Sequence, residues 1–119
     1  DPNYERVCFI LGKLYIQLGE NQKALKWLKR QTELNPNSAE AFQDIGICFR
    51  NTNMYEDAKV SFDKAIINDP TFKSAYFHKA LIFQEELKYG EALACIEKVL
   101  EIDPHDAGAH MTKIQLKQQ

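Results

Sequence analysis

The 119-residue chain contains no run of about eighteen apolar residues, so a membrane-spanning helix is not expected. No charged segment followed by an apolar one opens it, so neither is a secretory leader. Glycine and proline are scarce, at five and four residues, beside 45% hydrophobic and 27% charged residues; this is the composition of a soluble, mostly helical globular protein rather than a disordered one. Charge of one sign is not in excess. Fifteen Lys and Arg stand against seventeen Asp and Glu, interspersed, for a formal net charge of -2. The footprint that would attract a nucleic acid backbone or an anionic membrane is missing, and no partner of either kind is expected. Cysteine is limited to Cys8, Cys48 and Cys95. Odd in number and set among apolar neighbours, they read as reduced core thiols rather than a disulfide framework. That suits a cytoplasmic protein, with the nucleus as an alternative.

Reactive constellations are equally sparse. His78, His105 and His110 fall on different turns or linkers, and there is neither a His-Glu-x-x-His helix nor a close cysteine pair, so no metal site is expected. The glycines are scattered rather than gathered into a phosphate-binding loop. Acidic residues lie beside lysines on helical faces, as Glu97 and Glu101 do with Lys98, in place of a catalytic carboxylate pair. The chain reads as a non-enzyme without a cofactor.

What the sequence does have is a period. Pro2, Pro36, Pro70 and Pro104 follow Asp1, Asn35, Asp69 and Asp103 at intervals of 34 residues, and an X-Pro pair disfavours a helix running through it. Each interval holds two amphipathic stretches separated by a short break, at 18–21, 51–53 and 87–90, so each unit is a helical hairpin. Helices are expected near 3–17, 22–34, 38–50, 55–68, 72–86, 90–102 and 106–118. No stretch alternates as a strand would.

Aligned on this period, the second unit reads Phe42, Ile45-Gly46, Phe49, Ala58, Phe62, Ala65, Pro70. The first reads Cys8, Leu11-Gly12, Tyr15, Ala24, Leu28, Gln31, Pro36, and the third Tyr76, Lys79-Ala80, Phe83, Ala92, Ile96, Val99, Pro104. This pattern resembles the tetratricopeptide repeat, with three repeats at about 5–38, 39–72 and 73–106 and a capping helix over 107–119. The resemblance implies an all-α fold, a right-handed superhelical solenoid of antiparallel helix pairs forming a single domain. Packing explains the pattern: Gly12, Gly46 and Ala80 on first helices, and Ala24, Ala58 and Ala92 on second helices, leave room for close approach. Gln31 and Lys79 depart from it, and Lys79 is expected to lay its aliphatic stem along the core with its ammonium in water.

The two ends differ. In the last helix Ala109, Ile114 and Leu116 are expected to cover the preceding hairpin while His110, Lys113 and Lys117 face water, as an array needs at its end; Asp106 is its expected N-cap. The first helix is apolar nearly all round, from Val7 to Leu18, and such a helix expects cover on several sides. Asp1-Pro2 falls on the period, so the chain is expected to be a fragment of a longer array, with Val7, Leu14 and Leu18 facing an upstream unit. Self-association through this helix is expected of the isolated piece.

In tetratricopeptide arrays the first helices line a concave face that takes up peptides or helices. The resemblance places that face on Phe9, Lys13, Ile16, Gln43, Ile47, Arg50, Phe77, His78 and Leu81. Of these, Phe9, Ile16, Ile47, Phe77 and Leu81 are expected to form an exposed apolar stripe, the usual mark of an interaction site, with Lys13 and Arg50 beside it as polar selectors. The implied function is that of an adaptor binding a peptide or helix of a partner protein. The alternative is a structural scaffold or oligomerisation segment of a multi-subunit assembly. Repeats that clamp the acidic C-terminal tail of heat-shock chaperones use Lys and Asn where this chain has Phe9, Lys13, Asp44, Ser74 and His78, so that clamp is not expected. A pentatricopeptide-type RNA reader is disfavoured by the period and the lack of a basic stripe.

Overall fold

The computed structural model describes residues 2–118; Asp1, expected in the first proline mark, and Gln119, the end of the cap, lie outside them. These residues form helices joined by short turns, with no strand among them. The helices are α1 (Pro2–Gln17), α2 (Asn21–Leu34), α3 (Ala39–Asn51), α4 (Tyr55–Asn68), α5 (Lys73–Glu85), α6 (Tyr89–Ile102) and α7 (Ala107–Lys117). Each expected helix is present, with ends displaced by no more than a residue or two. They divide into two compact units, Asp1–Asp69 and Pro70–Gln119.

In the first unit α1 pairs with α2, α3 pairs with α4, and α3 also packs against α2. Ala24, Leu25, Leu28, Ile45 and Cys48 form the core between the hairpins, with Phe9, Tyr15, Ile16, Phe42 and Phe49 packed around it. The glycines mark where the helices close. A Cβ on Gly12 would lie 2.6 Å from Leu28 Cγ, and one on Gly46 2.6 Å from Phe62 Cε1. Gln31, the departure from the repeat pattern, is buried; its amide donates to the Glu5 carboxylate, which also accepts from Asn35 Nδ2 at 3.3 Å. A polar residue is tolerated in this core because the neighbouring α1 supplies its acceptor.

In the second unit α5 pairs with α6, and α7 packs against α6. Ala80, Ala92, Cys95, Ile96, Val99, Ala109 and Leu116 form its core. Lys79 is half-buried with its ammonium 5.9 Å from the Phe83 ring centroid, an arrangement that fits a stem laid on the core. Asp106 caps α7 by accepting from the Ala109 amide at 2.9 Å. Ile114 corrects an expectation: at 59% exposure it does not cover the hairpin. Ala109 and Leu116 are seven residues apart on the buried face, whereas Ile114 is rotated well away from Ala109 at about 100° per residue.

The break inside every hairpin is built alike. Gly19 (φ 77°), Asn53 (φ 63°) and Leu87 (φ 63°) occupy equivalent positions in the left-handed region. The next residue's amide reaches back six residues inclusive, from Glu20 to Tyr15, Met54 to Phe49 and Lys88 to Phe83, each at 2.8 Å. This is the Schellman ending, which satisfies carbonyls left over at a helix C-terminus.

Candidate interaction surfaces

Within the first unit, α1 and α3 bring Lys13, Ile16, Gln17, Asp44 and Ile47 around a shallow depression of about 140 Å³. Three of the expected contact residues, Lys13, Ile16 and Ile47, meet there. The Lys13 ammonium is already committed: it lies 3.0 Å from Glu40 Oε1 and 3.0 Å from Asp44 Oδ2, and 4.9 Å from the Phe9 ring centroid. Burial works to lower the Lys13 pKa, but the bonds and charges of Glu40 and Asp44 together outweigh it and leave it raised. Burial pushes the Asp44 carboxyl above its ordinary value, although Lys13 opposes the shift. The same burial, helped by the Asp44 charge, raises the Cys48 thiol to about 12, so this cysteine is an inert core thiol.

The expected residues are nevertheless less open than a free stripe would require. Gln43 is buried, at 8% exposure. Phe9 and Ile16 are half-buried because they also pack against the core of the hairpin pair. Ile47 and Arg50 are half-buried on the same helix as Gln43. In the second unit Phe77 and His78 line a depression of about 330 Å³ with Lys73, Ser74, Val99, Asp106 and Gly108; Leu81, half-buried, does not line it. Lys73 bridges Asp103 Oδ2 at 2.7 Å and Asp106 Oδ2 at 2.8 Å. These bonds raise the Lys73 pKa and lower those of Asp103 and Asp106.

One further surface, the apolar side of α1, was expected from the sequence, and one was not. The apolar positions of α1 stand open: Val7, Ile10 and Leu14 are 46–49% exposed, whereas their counterparts one repeat later, Ala41, Asp44 and Cys48, are buried. A larger hollow of about 550 Å³ lies between α1 and α2, lined by Tyr4, Lys26, Trp27, Lys29, Arg30 and Glu33. Its signal was present in the only tryptophan of the chain, placed among Lys23, Lys26, Lys29 and Arg30. Whole-chain charge hides it, because acidic residues elsewhere cancel the cations of α2.

Antiparallel hairpins of one size, closed on small residues at a fixed interval and lacking strands, define a helical-repeat protein. The sequence pattern described as tetratricopeptide repeat matches residues 5–38 and 74–106, more than half of the chain, and the chain belongs to that family. Among curated relatives it is 29% identical over 100 residues to anaphase-promoting complex subunit 3 of Schizosaccharomyces pombe, a match that covers 84% of this chain and 15% of that protein. The chain thus spans a small fraction of that relative. Among solved structures it superposes on the first tetratricopeptide domain of Spaghetti (RPAP3) bound to the HSP90 peptide SRMEEVD, with a TM-score of 0.89 and 18% identity, covering 99% of this chain and 94% of the other. It also superposes on YrrB, described as a tetratricopeptide protein with an unusual peptide-binding site, with a TM-score of 0.83 and 27% identity, covering 92% and 56% of the respective chains.

Proposed function

We propose that this chain is a peptide-binding adaptor module without catalytic activity, and that its ligand lies on α1 and α3, the first helices of the first two hairpins. The observation that carries the reading is the depression where α1 and α3 gather Ile16 and Ile47 beside Gln17 and the Lys13–Asp44 pair: an apolar floor with a polar edge, the composition of a small recognition site. The peptide bound in the one solved structure and the peptide-binding site described for the other support a peptide as the ligand class. With Lys13 neutralised from within the fold, the site favours apolar segments over acidic tails. The three cysteines are buried and form no disulfide among the described residues, which accords with work in a reducing compartment such as the cytoplasm. The test is affinity capture from a cell extract, comparing the parent chain with Ile47→Glu and Phe77→Glu after circular dichroism has shown that both fold. Loss of a specific protein from Ile47→Glu supports the reading; identical retention by all three chains rejects it.

A second reading rests on the open face of α1. Val7, Ile10, Leu14 and Leu18, the last 73% exposed, make an apolar surface of the kind that marks a permanent contact. The relative named as a subunit of a complex supports a scaffold role. Light scattering should then show association that Leu14→Glu abolishes, and a monomer at high concentration would reject it.

A further inference from the structure

The geometry points to a second binding site, on the first hairpin: we propose that the hollow between α1 and α2 docks an acidic partner segment carrying an aromatic or aliphatic anchor. It is independent of the first-helix site, since none of its lining residues is shared with the depression at Ile16 and Ile47.

Charge complementarity selects the occupant. Although the chain has a net charge of -2, α2 alone carries Lys23, Lys26, Lys29 and Arg30 against a single acid, Glu33. Successive turns of a helix bring residues three and four apart onto one side, so Lys23, Lys26, Trp27 and Arg30 form a stripe. Little of this charge is neutralised by the fold. Lys26 forms no ion pair with the described residues, and the pair between Arg30 Nη1 and Glu33 Oε2, 3.5 Å apart, joins two exposed side chains that can exchange partners at little cost.

Aromatic rings supply the anchor site. The Arg30 guanidinium lies 5.8 Å from the Tyr4 ring centroid, and Tyr4 is 41% exposed. Trp27 is half-buried between Lys26 and Arg30. A basic surface without such a hollow would attract any polyanion. A hollow between a tyrosine and a tryptophan rewards an inserted apolar side chain, and aromatic residues with arginine are the usual energetic centre of a protein interface. Glu33 at one end disfavours an acidic residue there, which makes the site directional.

Trp27, the only tryptophan, reports on its own site. The probe is a short, end-capped, tryptophan-free peptide with a Leu-Phe pair between runs of Glu and Asp, titrated at low ionic strength while Trp27 emission is read. We expect a saturable change, weakened about tenfold or more in Lys26→Glu/Arg30→Glu by reversal of two charges at the contact, weakened again by added salt, and retained in Ile47→Glu. Both reversed residues are exposed, so the variant keeps the fold. The proposal is overturned if emission does not saturate, if the charge-reversed variant binds as tightly, or if a peptide with Ser in place of Leu-Phe binds equally well.

Discussion

Leu87 holds a φ of 63° at the repeat position where the first hairpin has Gly19 and the second Asn53, so Leu87→Gly should stabilise the protein. A side chain with a Cβ in the left-handed region costs about 1–2 kcal/mol relative to glycine. Against this, glycine adds freedom to the unfolded chain, worth about 0.5–1 kcal/mol. Leu87 is 71% exposed, so the buried apolar contact it forfeits is worth no more than a few tenths of a kcal/mol. The net expectation is a gain of about 0.5 kcal/mol, or roughly 2 °C in Tm for a domain of this size. Gly19→Ala is the mirror experiment: nothing lies within 4 Å of the added Cβ at φ 77°, so its loss, about 0.5–1 kcal/mol, is purely conformational. Urea and thermal unfolding followed by circular dichroism would measure both. If Leu87→Gly lowers stability, or Gly19→Ala leaves it unchanged, the account of strain at this turn is wrong.

Gly46→Ala should cost about 1–3 kcal/mol in urea unfolding, because the added Cβ meets the Phe62 ring at 2.6 Å and that ring is fully buried with no room to withdraw. Asp103 and Asp106 have lowered pKa values through Lys73, so their contribution is present above the ordinary carboxylate range and is lost as pH falls through their folded values. Stability of the parent should therefore drop more steeply in acid than that of Lys73→Met, and parallel acid limbs would contradict the pairing. Titrating the peptide SRMEEVD into Lys26→Glu/Arg30→Glu, which reverses the charges at the Trp27 hollow, should give no saturable signal, since Lys13 is already held by Glu40 and Asp44. Saturable binding there would show that the first-helix face does clamp an acidic tail.

The repeat was legible because its causes are local and periodic. An X-Pro pair every 34 residues ends a helix wherever it occurs, amphipathic spacing assigns each helix a buried face, and a glycine or alanine at the same place in every unit marks the close approach later measured at Gly12 and Gly46. The Asp106 cap is likewise a matter of four consecutive residues. The proposed binding face was legible only as a set of positions. Whether Lys13 is a free cation depends on Asp44, 31 residues away, and on α1 and α3 approaching until their side chains are 3.0 Å apart. Gln43 is buried and Ile114 exposed because the rotation of a helix against its neighbours, which helical periodicity leaves open by tens of degrees, decides which flank of the apolar stripe is covered. The hollow at Trp27 needs Tyr4 from one helix and Arg30 from another. The sequence by itself determined the helices, their pairing and the small-residue contacts, since those follow from forces acting within a turn or a fixed repeat. Only the tertiary structure decided which charges are neutralised and which apolar residues stay open, because electrostatic and packing energies fall off within a few ångströms and distances on that scale arise only when separate helices meet.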